Sequence, residues 1–192
     1  MSLRERAVEA IGRLWPARTV RKLVAWVRPS RIAPTSPPRT ITDDEGREVH
    51  IRPYRDDDFD PLVTMYDEFD TRQRAQGVPP VRTEDIEEWV ESLLPGVNAV
   101  AVADDRIVGH VTFVPDDTGR HELAIFVHQS YQGAGVGSAL LSTGLGYAAE
   151  QGVEYVWLSV EAGKRGIQRW YARAGFSTVN PMGSAHRMSQ VL

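Results

Sequence analysis

Leu123-Ala124-Ile125-Phe126-Val127 is an apolar run, and beyond His128-Gln129-Ser130-Tyr131 the chain reads Gln132-Gly133-Ala134-Gly135-Val136-Gly137, with Ser138-Ala139-Leu140-Leu141 directly behind. A strand that enters a glycine-rich turn opening a helix leaves the first N–H groups of that helix unpartnered, with the positive end of its dipole behind them. Such a place holds an anion. Glycines at 133, 135 and 137 remove Cβ atoms that would block a diphosphate, and they permit positive φ in the turn. Two other phosphate patterns do not fit. A P-loop needs Lys and then Ser or Thr after its last glycine, where this chain has Ser138-Ala139. A dinucleotide fingerprint starting at Gly133 needs Gly or Ala at 138, and further βα units would have to fit into the about 55 residues that follow.

A second stretch stands at a matching distance. Trp157-Leu158-Ser159-Val160 reads as a strand, and after a short turn comes Gly166-Ile167-Gln168-Arg169-Trp170-Tyr171-Ala172-Arg173-Ala174-Gly175-Phe176. Together the two stretches resemble the GNAT N-acetyltransferases. Gln132-x-x-Gly135-x-Gly137 is similar to their pyrophosphate loop, while Leu158, Val160, Tyr171, Gly175 and Phe176 match the Leu-x-Val strand and the Tyr-x-x-x-Gly-Phe helix end. Lys164 stands where Asn is usual, and Ile167 where Ala is common.

The resemblance implies an α/β (α+β) GNAT acyl-CoA N-acyltransferase fold, with a mixed, mostly antiparallel sheet flanked by helices, over roughly 47–192 in the order βααβββαβαββ. It implies acetyl-CoA as the acyl donor, its diphosphate on Gln132, Gly133, Ala134, Gly135, Val136 and Gly137, and its pantetheine arm along the backbone of Ile125, Phe126 and Val127. Tyr171 matches the general acid that protonates the departing thiolate, and its register with Gly175-Phe176 favours that role over the alternative of a buried core tyrosine. For the base the family often uses a carboxylate on the strand before the loop. Glu122 and His121 are adjacent at that place, and strand neighbours point to opposite faces, so one of the two reaches the cleft. Glu122 ranks first, His121 second, and His110 on the preceding strand third. Lys164 either meets a CoA phosphate or points to solvent. Asp67, Glu68 and Asp70 are candidates to line an acceptor cleft and attract a protonated amine. A second class stays open: an acyl-CoA-binding module that regulates or tethers a partner without turnover.

Composition narrows the rest. The chain of 192 residues has 42% hydrophobic and 25% charged residues and no Cys, which rules out disulfides and acyl transfer through a protein thiol. No apolar run approaches the about 18 residues of a membrane span, and the expected location is the cytoplasm. No His and carboxylate cluster has metal-ligand spacing, so no metal is expected. Residues 1–39 carry nine Arg or Lys against two Glu, a charge of +7, and residues 40–192 carry 13 against 24, or −11. An acidic body is the wrong surface for a polyanion, so no nucleic acid is expected.

The basic zone reads as an amphipathic helical extension, 1–28, with Trp15 and Trp26 among its arginines. It could lie on an anionic membrane as a peripheral contact, or pack on the acidic body of its own chain or of a homodimer mate. A Pro-rich linker, 29–46, is expected between this extension and the catalytic domain at 47–192. On that division, deleting residues 1–38 should leave the fold intact. Asp56-Asp57-Asp58 and Thr83-Glu84-Asp85 supply helix-capping residue types before two helices.

Overall fold

The computed structural model describes residues 32–70, 72, 78–181 and 183–192, so the extension expected at 1–28 lies outside the described residues. Eight strands form one sheet in the order β1-β2-β3-β4-β5-β6-β8-β7. These are β1 (Arg39–Thr42), β2 (Glu48–Pro53), β3 (Val97–Ala103), β4 (Arg106–Pro115), β5 (His121–Val127), β6 (Tyr155–Glu161), β7 (Ser177–Asn180) and β8 (Ala185–Val191). Helices α1 (Phe59–Asp67) and α2 (Thr83–Leu93) follow β2, α3 (Val136–Glu150) follows β5, and α4 (Arg165–Arg173) follows β6. All strand pairs are antiparallel except β5 with β6. The expected element order is present, with β1 added in front.

β3 and β4 are buried along nearly their whole length because both faces of the sheet are covered. Val111 and Phe113 of β4 face α3, where Gly144 brings the helix so near that a Cβ there would stand 2.7 Å from Val111. One residue along, His110 faces the other way, where Tyr66 of α1 meets it. A second core, formed by Leu62, Tyr66, Ile86 and Val90, holds α1 and α2 on that face.

The linker expectation is corrected at its C-terminal part. β1 pairs with β2 as an edge strand, from Arg39↔Ile51 to Thr42↔Glu48, and Ile32 is buried. Residues 32–35 lie on α3 and α4: the Ile32 N–H donates to Arg173 O (3.0 Å), the Thr35 N–H to Ser142 O (3.0 Å), and the Ser142 hydroxyl to Ala33 O. Gly146 makes this possible, since a Cβ there would collide with the Thr35 backbone. A truncation that spares the fold therefore ends at Arg31, not at residue 38. Gly146→Ala gives a sign test. An extended segment free of α3 would let alanine's helix propensity stabilise the protein by about 1 kcal/mol. Packing as observed should instead make it less stable by about 1–3 kcal/mol, read from the denaturant midpoint at unchanged slope.

Capping is also corrected. Asp58 caps α1 with no side-chain bond; it holds Arg52 through two contacts, 2.6 and 2.8 Å, and accepts the Arg55 N–H. Those bonds keep its carboxyl below the ordinary value although burial pushes the other way. Arg82 and Asp85 pair across the start of α2, and the Thr83 hydroxyl donates to Asp67.

Candidate active site

β5 is paired with β4 from His121↔Pro115 to Val127↔Gly109, yet it meets β6 only at His121↔Val156 and Glu122↔Trp157. Beyond Glu122 the two parallel strands part. The His128 N–H donates to Val108 O (2.9 Å), which fixes the ladder's phase. Phe126 and Ala124 then turn their main-chain groups to β4, while Ile125 and Val127 turn theirs into the gap. Gln132 Nε2 takes the Val127 carbonyl (2.8 Å), leaving the Ile125 amide and carbonyl and the Val127 amide along the opening. Phe126 contributes its ring instead, edge-on to Tyr66, Phe69 and Trp89.

The gap leads to the glycine-rich turn. Gly133 and Gly135 have φ of +79° and +90°, and Gly135 is the residue preceding α3. No backbone carbonyl among the described residues takes the amides of Gly133, Ala134, Gly135, Val136 or Gly137. They are therefore available to an anion at the helix N-terminus. The β1–β2 turn braces this loop. Arg47 donates to Ser130 O (2.8 Å) and lies 3.9 Å over the Tyr131 ring, and the Asp44 N–H donates to Ala134 O (3.0 Å). From the other side, Trp170 of α4 donates to Ser138 Oγ (2.9 Å) in the first turn of α3.

Tyr171 follows Trp170 and is buried, with ring centroids 4.8 Å from Trp170 and 5.6 Å from Phe176. Burial holds its phenol well above the ordinary value, and its hydroxyl makes no hydrogen bond among the described residues. Glu122 and His121 are separated by the pleat. Glu122 shares the α1/α2 face with Phe126, while His121 shares the α3 face with buried Leu123 and keeps an enclosed, unpartnered Nδ1. Partial burial raises the Glu122 carboxyl above its usual value, Arg187 opposes this, and the Asp116 charge adds to it.

His110 is closed off. Asn98 gives its amide hydrogens to Leu93, Leu94 and Gly96 carbonyls, so its Oδ1 accepts from His110 Nε2 (3.0 Å), and Nδ1 must accept from the Tyr66 hydroxyl (2.7 Å). Wholly buried and with both nitrogens engaged, its pKa pulled down to about 3, it is a structural neutral imidazole. Lys164 precedes α4 and reaches Glu161 (3.2 Å). The three acidic cleft candidates are also engaged: Asp67 with Thr83, Glu68 with Arg106 (2.6 Å), and Asp70 with Arg72 (2.8 Å).

A model of the acetyltransferase (GNAT) family matches residues 62–176. The chain belongs to the GNAT family. Mycothiol acetyltransferase of Propionibacterium freudenreichii subsp. shermanii is 32% identical over 173 residues, which are 85% of this chain and 52% of that protein. The chain thus spans about half the length of the curated relatives it matches. Among solved GNAT structures, the GNAT domain of S. lividans PAT superposes with a TM-score of 0.67 at 20% identity, over 81% of this chain and 97% of that one. The structure of yncA from Salmonella typhimurium with acetyl-CoA gives 0.59 at 20% identity, over 75% and 94%. At that identity these two establish the shared GNAT fold.

Proposed function

We propose that this chain is an acetyl-CoA-dependent N-acetyltransferase that moves the acetyl group directly to a primary amine. The parting of β5 from β6 beyond Glu122 carries this reading, because it presents unpaired strand edge that ends at five free loop amides. A pantetheine arm fits there as an added strand, with the diphosphate on the loop. Acetyl-CoA as the donor is supported by the yncA complex, which holds acetyl-CoA in the same fold. The mycothiol acetyltransferase relative supports acetyl transfer, and its acceptor is not carried over because only half of that protein is spanned.

In this mechanism the amine approaches from the α1/α2 face, where Glu122 lies, and loses its proton to that carboxylate directly or through a water. Its nitrogen attacks the thioester carbon, the collapsing intermediate expels the thiolate, and the Tyr171 hydroxyl protonates the sulfur. A phenol held above its ordinary pKa stays protonated throughout the working range, as an acid should.

Thiol release from acetyl-CoA across a panel of amines, with products identified by mass, tests the assignment. Binding without transfer to any amine would replace it with the regulatory module. The base is tested by pH. A carboxylate acts when deprotonated, so the rate should rise with pH through the raised Glu122 value and level off above it. Glu122→Gln should remove that acidic limb and most of the rate, roughly 10²-fold or more, while His121→Gln keeps the limb. A limb unchanged in Glu122→Gln would move the base elsewhere.

A further inference from the structure

On the α1/α2 face, the sheet beyond Glu122 is floored by β6 and β8. Trp157 of β6 stands directly across from Glu122, and its indole N–H donates to Asp116 Oδ2 (2.9 Å), which fixes the ring. Asp116 is itself held by the Thr118 hydroxyl and the Thr118 and Arg120 amides, so its carboxyl lies well below the usual range and remains charged. Arg187 of β8 places its guanidinium carbon over this ring, 3.8 Å from the centroid. Two residues back along β6, Arg120 does the same over Tyr155 at 4.7 Å.

Neither guanidinium has an ion-pair partner among the described residues, although five of the carboxylates described above are paired with arginine or lysine. Arg187 is therefore oriented by an aromatic face and not consumed by an anion. A cation held over an aromatic face keeps its N–H groups free, and a guanidinium so placed can bind a carboxylate through two parallel bonds. Its charge already reaches Glu122. Adjacent strands are about 4.8 Å apart and β6 lies between β5 and β8, so Glu122 and Arg187 rise from strands about 10 Å apart, a span that their side chains and one small molecule can bridge.

We propose that the acceptor is an amine that also carries a carboxylate, an amino acid or a close relative, with its acid on the stacked Arg187 fork and its nitrogen at Glu122. Arg120 adds a second positive charge on the same floor. This rests on the reading of the site as an acetyltransferase, and it narrows the acceptor class away from polyamines. A diamine would place its second cation against two arginines.

The test compares matched pairs with the full chain at saturating acetyl-CoA: L-alanine, L-leucine, L-glutamate and β-alanine, each against its carboxamide. Acids should exceed amides in kcat/KM by about tenfold or more for the preferred skeleton. In Arg187→Gln that ratio should fall toward one, and Arg187→Lys should lie between because it keeps charge without the stacked fork. The ratio cancels any general loss of activity. Calorimetry with CoA-loaded protein and the N-acetyl derivatives of the same acids and amides reads the subsite without turnover. Arg187-dependent preference for the N-acetyl acids, with no transfer to any amine, would sustain the carboxylate subsite and overturn catalysis. Turnover without a preference for acids, or a preference that survives Arg187→Gln, would overturn the subsite and leave catalysis standing.

Discussion

Tyr171→Phe should lower kcat by roughly 10²–10⁴ while acetyl-CoA affinity stays within about twofold. The substitution keeps the ring that packs between Trp170 and Phe176 and removes one oxygen that bonds to nothing in the described protein. Packing is thus preserved, and what is lost, on the proposed mechanism, is a proton donor needed when the thiolate departs. Burial places the ionisation of this phenol above its ordinary value, so its loss should not shape the alkaline side of the wild-type profile below that value. Stopped-flow turnover and a calorimetric titration of acetyl-CoA on the same samples check both halves. Wild-type kcat in the phenylalanine variant would reduce Tyr171 to a core residue.

Gly135→Val should weaken acetyl-CoA binding by an order of magnitude or more, with the secondary structure retained. At φ +90° a β-branched residue is strained by roughly 1–3 kcal/mol, and relief requires the turn to rotate. Rotation misdirects the amides of Gly133 to Gly137, whose convergence is the whole of the proposed diphosphate seat. Gly137→Ala provides the contrast, since its added Cβ would meet Val127 at 3.6 Å, an ordinary contact. Calorimetry on the two variants separates loop geometry from bulk: equal, undiminished affinity in both would remove the loop from the binding site.

What the sequence made legible is local. Gly133 and Gly135 must be glycine to take their positive φ, so their spacing next to an apolar strand announced a tight turn before a helix. Strands and helices fell near their expected bounds because alternation and helical spacing are carried by adjacent residues. The pleat also predicted that Glu122 and His121 would separate, without saying which faced α1 and α2, the proposed acceptor side. That choice depends on α1 and α2 covering the Phe126 face, a tertiary fact.

The less legible parts join distant segments. Arg47 reaches Ser130 across 83 positions and Trp157 reaches Asp116 across 41, with no motif at either end. Pro-rich composition correctly signals extended chain but not whether that chain is free, and here residues 32–35 run over Ser142 and Gly146 of α3. Those two small residues on one face were the available signal. Charge was misleading for Asp67, Glu68 and Asp70, because an acidic cluster in sequence does not reveal the arginines and the threonine that the fold brings to it.

The two sides of the gap are made of different material. The proposed donor's seat is main chain, the edge of β5 and the amides of one loop, whereas the proposed acceptor floor is side chain, with Trp157, Arg187 and Glu122 on three separate strands. Amides persist under almost any substitution that preserves φ, while the floor is rewritten by a single codon. A lineage built on this plan can exchange one amine for another in few steps without relearning how to hold the nucleotide. Divergence is thereby channelled to one face of the sheet.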